Sequence, residues 1–84
     1  MNAKITLANN LKNFRKHNHI SQEELAARSD LSTRGYGKIE RGEVHASLET
    51  LDKLSNGTGL SLSDLLQKWK QAQQLWLLIT AGLK

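Results

Sequence analysis

With 84 residues the chain has room for one small domain and a limited core. It contains no cysteine, which excludes a disulfide framework, a thiolate metal site and a cysteine nucleophile. Lys and Arg number 12 against 8 Asp and Glu, and the resulting +4 favours a polyanionic partner, although a plain basic surface would give the same total.

The absence of proline leaves helix permitted everywhere, and plentiful Leu, Gln, Lys and Ala favour it over strand. A first helix is predicted from about Ile5 to His17, with Leu7, Leu11 and Phe14 on one face. The polar segment His17-Asn18-His19 breaks it. Ser21-Gln22-Glu23-Glu24 reads as a capping box, with Ser21 as N-cap and Glu24 reaching back. A second helix then runs to about Arg28, with Leu25 and Ala26 inward. Ser29-Asp30 makes the turn, where Asp tolerates a left-handed backbone. Ser32 caps a third helix that ends at Gly42, with Tyr36 and Ile39 as its inward stripe.

Ser47 opens a fourth helix with Leu48, Leu51 and Leu54 at helical spacing, closed by Asn56-Gly57-Thr58-Gly59. A second capping box, Ser61-Leu62-Ser63-Asp64, opens a fifth helix with no breaker before Gly82. The fold class expected is therefore all-α, with five helices and an extended C-terminal helix. Residues 1–66 form the domain and residues 67–84 continue it.

Two short helices joined by a tight turn, the second one basic, are the layout that places one helix in a DNA major groove. The chain resembles the lambda-repressor-like, Cro/C1-type (XRE) helix-turn-helix regulators. The resemblance rests on Leu11 and Arg15 in LKNFR, SQEELA, Leu31-Ser32, Lys38-Ile39-Glu40-Arg41-Gly42, Ser47-Leu48-Glu49-Thr50-Leu51 and Gly59-Leu60-Ser61. It departs from that pattern at Asp30, where Gly is usual, at Ala46, where Pro is usual, and at Thr58, where Leu is usual. Gly35 and Gly37 are unusual inside a recognition helix. They either leave that helix marginal or let its backbone approach DNA closely.

The resemblance implies that Thr33, Arg34 and Lys38 face bases. Arg34 is suited to guanine O6 and N7, and Lys38 to either a base or a phosphate. It gives Gln22 a phosphate contact, with Arg41 and Ser47 as further backbone contacts. It also makes Arg15 and Glu40 a structural ion pair between the first and third helices.

Trp69, Ala72, Trp76, Ile79 and Leu83, following Leu62 and Leu65, continue a heptad seam. A seam of that size on so short a chain points to a homodimer. Folding back over the first and fourth helices, or a strand exchanged over Leu75 to Thr80, is the alternative. His17, His19 and His45 read as surface residues rather than metal ligands. No nucleophile elbow or phosphate-binding glycine loop is present. The reading is of a non-enzymatic regulator without cofactor or metal.

The start of the chain, MNAKITLANN, has no signal-peptide core, and the longest apolar run, Leu75 to Ile79, cannot span a bilayer. A cytoplasmic, membrane-free location is therefore expected. The partners expected are double-stranded DNA and a second copy. An antitoxin whose C-terminal surface meets a toxin, and an adaptor that has lost DNA binding, are the competing readings.

Overall fold

The computed structural model describes residues 2–67. They form α1 (Ala3–Asn18), α2 (Gln22–Arg28), α3 (Thr33–Glu40), α4 (Leu48–Thr58) and α5 (Leu62–Leu66), with no strand among the described residues. The seam residues Trp69, Ala72, Trp76, Ile79 and Leu83 lie outside them.

Each helix starts on a polar cap that satisfies an otherwise unpaired amide. Asn2 accepts from Lys4 N–H at 3.0 Å and Ser21 from Glu24 N–H at 3.0 Å. Ser32 accepts from Gly35 N–H at 3.0 Å, Ser47 from Thr50 N–H at 3.1 Å and Ser61 from Asp64 N–H at 3.0 Å. The capping box at Ser21 is only half formed. The Glu24 carboxylate turns along the helix and accepts from Arg28 Nε at 3.1 Å instead of reaching back, because an oppositely charged group stands one turn away.

The turn between α2 and α3 is a helix C-terminus closed without glycine. Asp30 takes φ 56°. Its N–H donates to Ala27 O at 3.1 Å, and Leu31 N–H donates to Ala26 O at 2.9 Å. This pair of bonds defines a Schellman motif, and a short polar side chain tolerates its left-handed position. Asp30 therefore does the work of the usual glycine. Thr58 has a comparable explanation. Its hydroxyl donates to Leu54 O at 2.8 Å and accepts from Leu60 N–H at 3.1 Å, tying off the end of α4 where an apolar residue could not.

The core forms where the helices converge. Leu11, Leu25, Tyr36, Leu54 and Leu65 are fully enclosed, with Leu7, Ala26, Ile39 and Leu51 around them. Phe14, Ile20, Leu31, Ala46 and Leu60 pack on the rim.

Two further sequence expectations change. Leu48 shares helical spacing with Leu51 and Leu54 yet is 80% exposed, because it sits in the first turn of α4 beyond the reach of the other helices. The closing segment Asn56-Gly57-Thr58-Gly59 is where α4 ends, at Thr58 with Gly59 as its left-handed C-cap, and Gly57 lies inside its last turn. A Cβ on Gly57 would stand 2.9 Å from Ser29 Cα, so its bareness is what lets α4 lie against the end of α2.

The second change concerns α5, which stops at Leu66 with Gln67 in extended conformation, where an unbroken helix was expected. The buried Asn10 amide donates to Leu65 O and to Gln67 O, both at 2.6 Å, and so satisfies carbonyls that a continuing helix would have used.

Candidate nucleic-acid interface

Helix α3 is held in place by a buried carboxylate. Glu40 is 2% exposed and accepts hydrogen bonds from three side chains. Arg15 grips it with two prongs, Nε to Oε2 at 2.7 Å and Nη2 to Oε1 at 2.6 Å. Tyr36 OH donates to Oε2 at 2.5 Å and Gln22 Nε2 to Oε1 at 3.0 Å. The remaining prong of Arg15, Nη1, donates to Ile20 O at 3.1 Å. Helices α1, α2 and α3 and the loop before α2 therefore meet on one charge.

The protonation states follow from this geometry. Burial alone would push the Glu40 carboxyl up. The hydrogen bonds from Arg15, Tyr36 and Gln22, with the Arg15 charge, outweigh it and hold the group down at about 2. Burial and the bond to Glu40 push the Tyr36 hydroxyl well above the usual tyrosine range. The bond to Glu40 raises Arg15 further. The ion pair expected between Arg15 and Glu40 is thus formed. Tyr36 was read only as an apolar inward residue. Its hydroxyl is a member of the network, and the signal for it was its place one helical turn before Glu40.

The outward side of α3 is open. Thr33 and Arg34 are exposed in its first turn and Lys38 is half-buried one turn later. Among the described residues neither the Arg34 nor the Lys38 side chain has a hydrogen bond or an ion pair. The structure places all three on α3. Gln22 stands at the start of α2, half-buried. One of its two amide hydrogens is committed to Glu40 and the other has no partner among the described residues. Ser47 has a committed hydroxyl, which donates to Thr50 Oγ1 at 3.0 Å while accepting from Thr50 N–H. Arg41 is exposed but paired with Glu43, at 2.5 Å from Nε to Oε2.

The two unusual glycines differ in kind. A Cβ on Gly35 would come within 3.0 Å of the capping hydroxyl of Ser32. Gly37 is buried, and a Cβ there would stand 2.9 Å from Arg41 Nη1, so its bare surface is covered by its own chain. The Gly37 face is therefore not left open to DNA.

The described residues include no group of three or more His, Cys, Asp or Glu placed to hold a metal ion. None of their helices is long and apolar enough to cross a membrane.

Two short helices, α2 and α3, joined by the tight turn at Asp30 and with the outer side of the second left open, have the layout of the helix-turn-helix class. The helix-turn-helix family profile matches residues 11–65. The chain is 44% identical over 63 residues to the control protein C.MunI of Mycoplasma, covering 74% of this chain and 85% of that one. It is 37% identical over 68 residues to the control protein C.SmaI of Serratia marcescens, covering 81% of each. It is also 41% identical over 63 residues to the prophage-derived HTH-type transcriptional regulator YonR of Bacillus subtilis, covering 75% of this chain and 57% of the relative. A crystal structure of a hypothetical transcription factor from Neisseria superposes with a TM-score of 0.77 at 27% identity, covering 87% of this chain and 84% of that one. The chain belongs to the Cro/C1-type (XRE) helix-turn-helix family of DNA-binding transcriptional regulators.

Proposed function

We propose that the protein is a control protein of the kind its relatives are named for, which binds an inverted-repeat operator as a homodimer and sets transcription there. The observation that carries this reading is the division of α3. Its inner side is anchored through Glu40, and its outer side offers the Arg34 and Lys38 side chains with no hydrogen bond or ion pair among the described residues. A rigid helix with uncommitted donors is what base recognition in the major groove requires.

In this reading Thr33 and Arg34 touch base edges in the first turn, and Lys38 reaches a base or a phosphate one turn later. Gln22, held by Glu40, offers its second amide hydrogen to a phosphate, while Arg41 and Ser47, whose donors are paired with Glu43 and Thr50, reach a phosphate only where those pairs open. The Trp69, Ala72, Trp76, Ile79 and Leu83 seam pairs two copies. It sets their recognition helices about 34 Å apart, in successive major grooves. Covering a promoter represses, and binding beside one gives the alternative of activation.

Selection of bound sequences from random DNA, with sedimentation of the same sample, tests this. A palindromic consensus and a dimer are expected. An unenriched pool overturns sequence-specific binding, and a monomer overturns the pairing.

A further inference from the structure

Three neighbouring features at the end of α3 have one explanation. The helix ends at Arg41 as C-cap, and Gly42 follows at φ +72°. Gly42 N–H donates to Ile39 O at 3.0 Å and Glu43 N–H to Lys38 O at 3.0 Å. These are the two bonds of a Schellman turn, and they hold the Glu43 backbone over the last turn of the helix. The Glu43 carboxylate accepts from Arg41 Nε at 2.5 Å and, more weakly, from Nη2 at 3.5 Å. On the other side, Arg41 Nη1 lies against the bare backbone of Gly37, where a Cβ would come within 2.9 Å. Glycine weakens a helix interior, so its presence in a recognition helix calls for a reason. Here it provides the seat for a guanidinium.

The Nε and Nη2 edge of arginine is a fork that binds carboxylate and phosphate in the same way. We propose that Glu43 is a built-in competitor for the DNA phosphate at Arg41, with Gly42 setting the carboxylate in place and Gly37 seating the guanidinium between them. The inference rests on the DNA-binding reading above and adds a specificity role to it. Glu43 cancels a cation that would otherwise attract every sequence alike. Non-specific affinity falls, and the contacts of Thr33 and Arg34 make up a larger share of what remains. The Arg41 bond pulls the Glu43 carboxyl below its ordinary range, so the competitor is charged at neutral pH.

The test is binding of a random-sequence DNA duplex across a salt series by the full chain. Glu43→Gln, Arg41→Ala and the double variant are compared with the unaltered protein. For Glu43→Gln the log–log dependence of affinity on salt should steepen by about 0.9. That is roughly a threefold additional loss between 50 and 200 mM. Arg41→Ala should change the slope little in the unaltered chain and abolish the gain in the Glu43→Gln background. A Glu43→Gln gain of equal size with and without Arg41 would reflect general charge removal and overturn the proposal, as would no gain at all. Failure of the unaltered chain to bind duplex DNA at any salt overturns the DNA-binding reading and this inference with it. Binding without coupling overturns this inference alone.

Discussion

On its inner side α3 carries Tyr36, Ile39 and Glu40, all buried, with the one charge among them held by Arg15, Tyr36 and Gln22. On its outer side it carries Thr33, Arg34 and Lys38, which make no such bonds among the described residues. Both sides are polar in part, but the same kind of group has opposite consequences on each. A buried charge is costly unless every lone pair is met, so the inner side tolerates one arrangement and thereby fixes the pose of the helix. An exposed cation is solvated and costs little to leave unpaired, so the outer side is free to meet a ligand. Stability and recognition should accordingly separate under mutation.

The largest separation is expected from Glu40→Ala against Lys38→Ala. Removing Glu40 strands Arg15 and should cost about 3 kcal/mol, the low end for a broken buried pair because Arg15 retains some access to water. In a domain this small that lowers the melting temperature by about 12 °C or more. Lys38→Ala should leave melting nearly unchanged while weakening DNA binding, and equal melting temperatures for the two variants would refute the division. Acid should expose the same dependence. The folded carboxyl of Glu40 is held at about 2 against an ordinary 4.5. Its stabilisation is therefore complete above about pH 4.5 and disappears as pH falls toward 2. Thermal melts of Glu40→Gln across that range should show a shallower acid decline than those of the unaltered protein.

Next come two substitutions of similar size on opposite sides. Arg34→Ala should leave the melting temperature in place and remove about 1–3 kcal/mol of discrimination at one base of the selected operator. Uniform weakening across all sequences would instead make Arg34 a phosphate contact. Gly57→Ala forces a methyl against Ser29 Cα and should destabilise by about 1–3 kcal/mol, as read by denaturant unfolding. The smallest effect has the opposite sign. Gly37→Ala displaces only the flexible end of Arg41, so unfolding should show a gain of up to about 1 kcal/mol from helix propensity. A loss there would mean that the guanidinium cannot move aside.

Much of the fold was legible because it is local. Ser21, Ser32, Ser47 and Ser61 mark helix starts by a hydrogen bond spanning three residues, and Leu7, Leu11, Tyr36 and Ile39 mark inward faces by period. The Arg15–Glu40 pair spans 25 residues and was reached only through family resemblance. The roles of Asn10, Gly57 and Gly37 were not legible. Asn10 has the same letter whether it is solvated or ties off a helix at residue 65, and glycine reads as a helix breaker until a neighbour is seen against it.

The sequence by itself determined the all-helical fold of the described residues, the positions of its caps and turns, and a basic second helix in a helix-turn-helix. All of these follow from contacts within a few residues and from net charge. Only the tertiary structure decided that Leu48 faces water, that α5 stops at Leu66, and that Tyr36 and Gln22 join Arg15 on Glu40. It also decided that Arg41 lies between Gly37 and Glu43. Burial and hydrogen-bond partnership depend on which helices meet. A side chain's chemistry limits its possible partners, but only the packing brings one of them within reach.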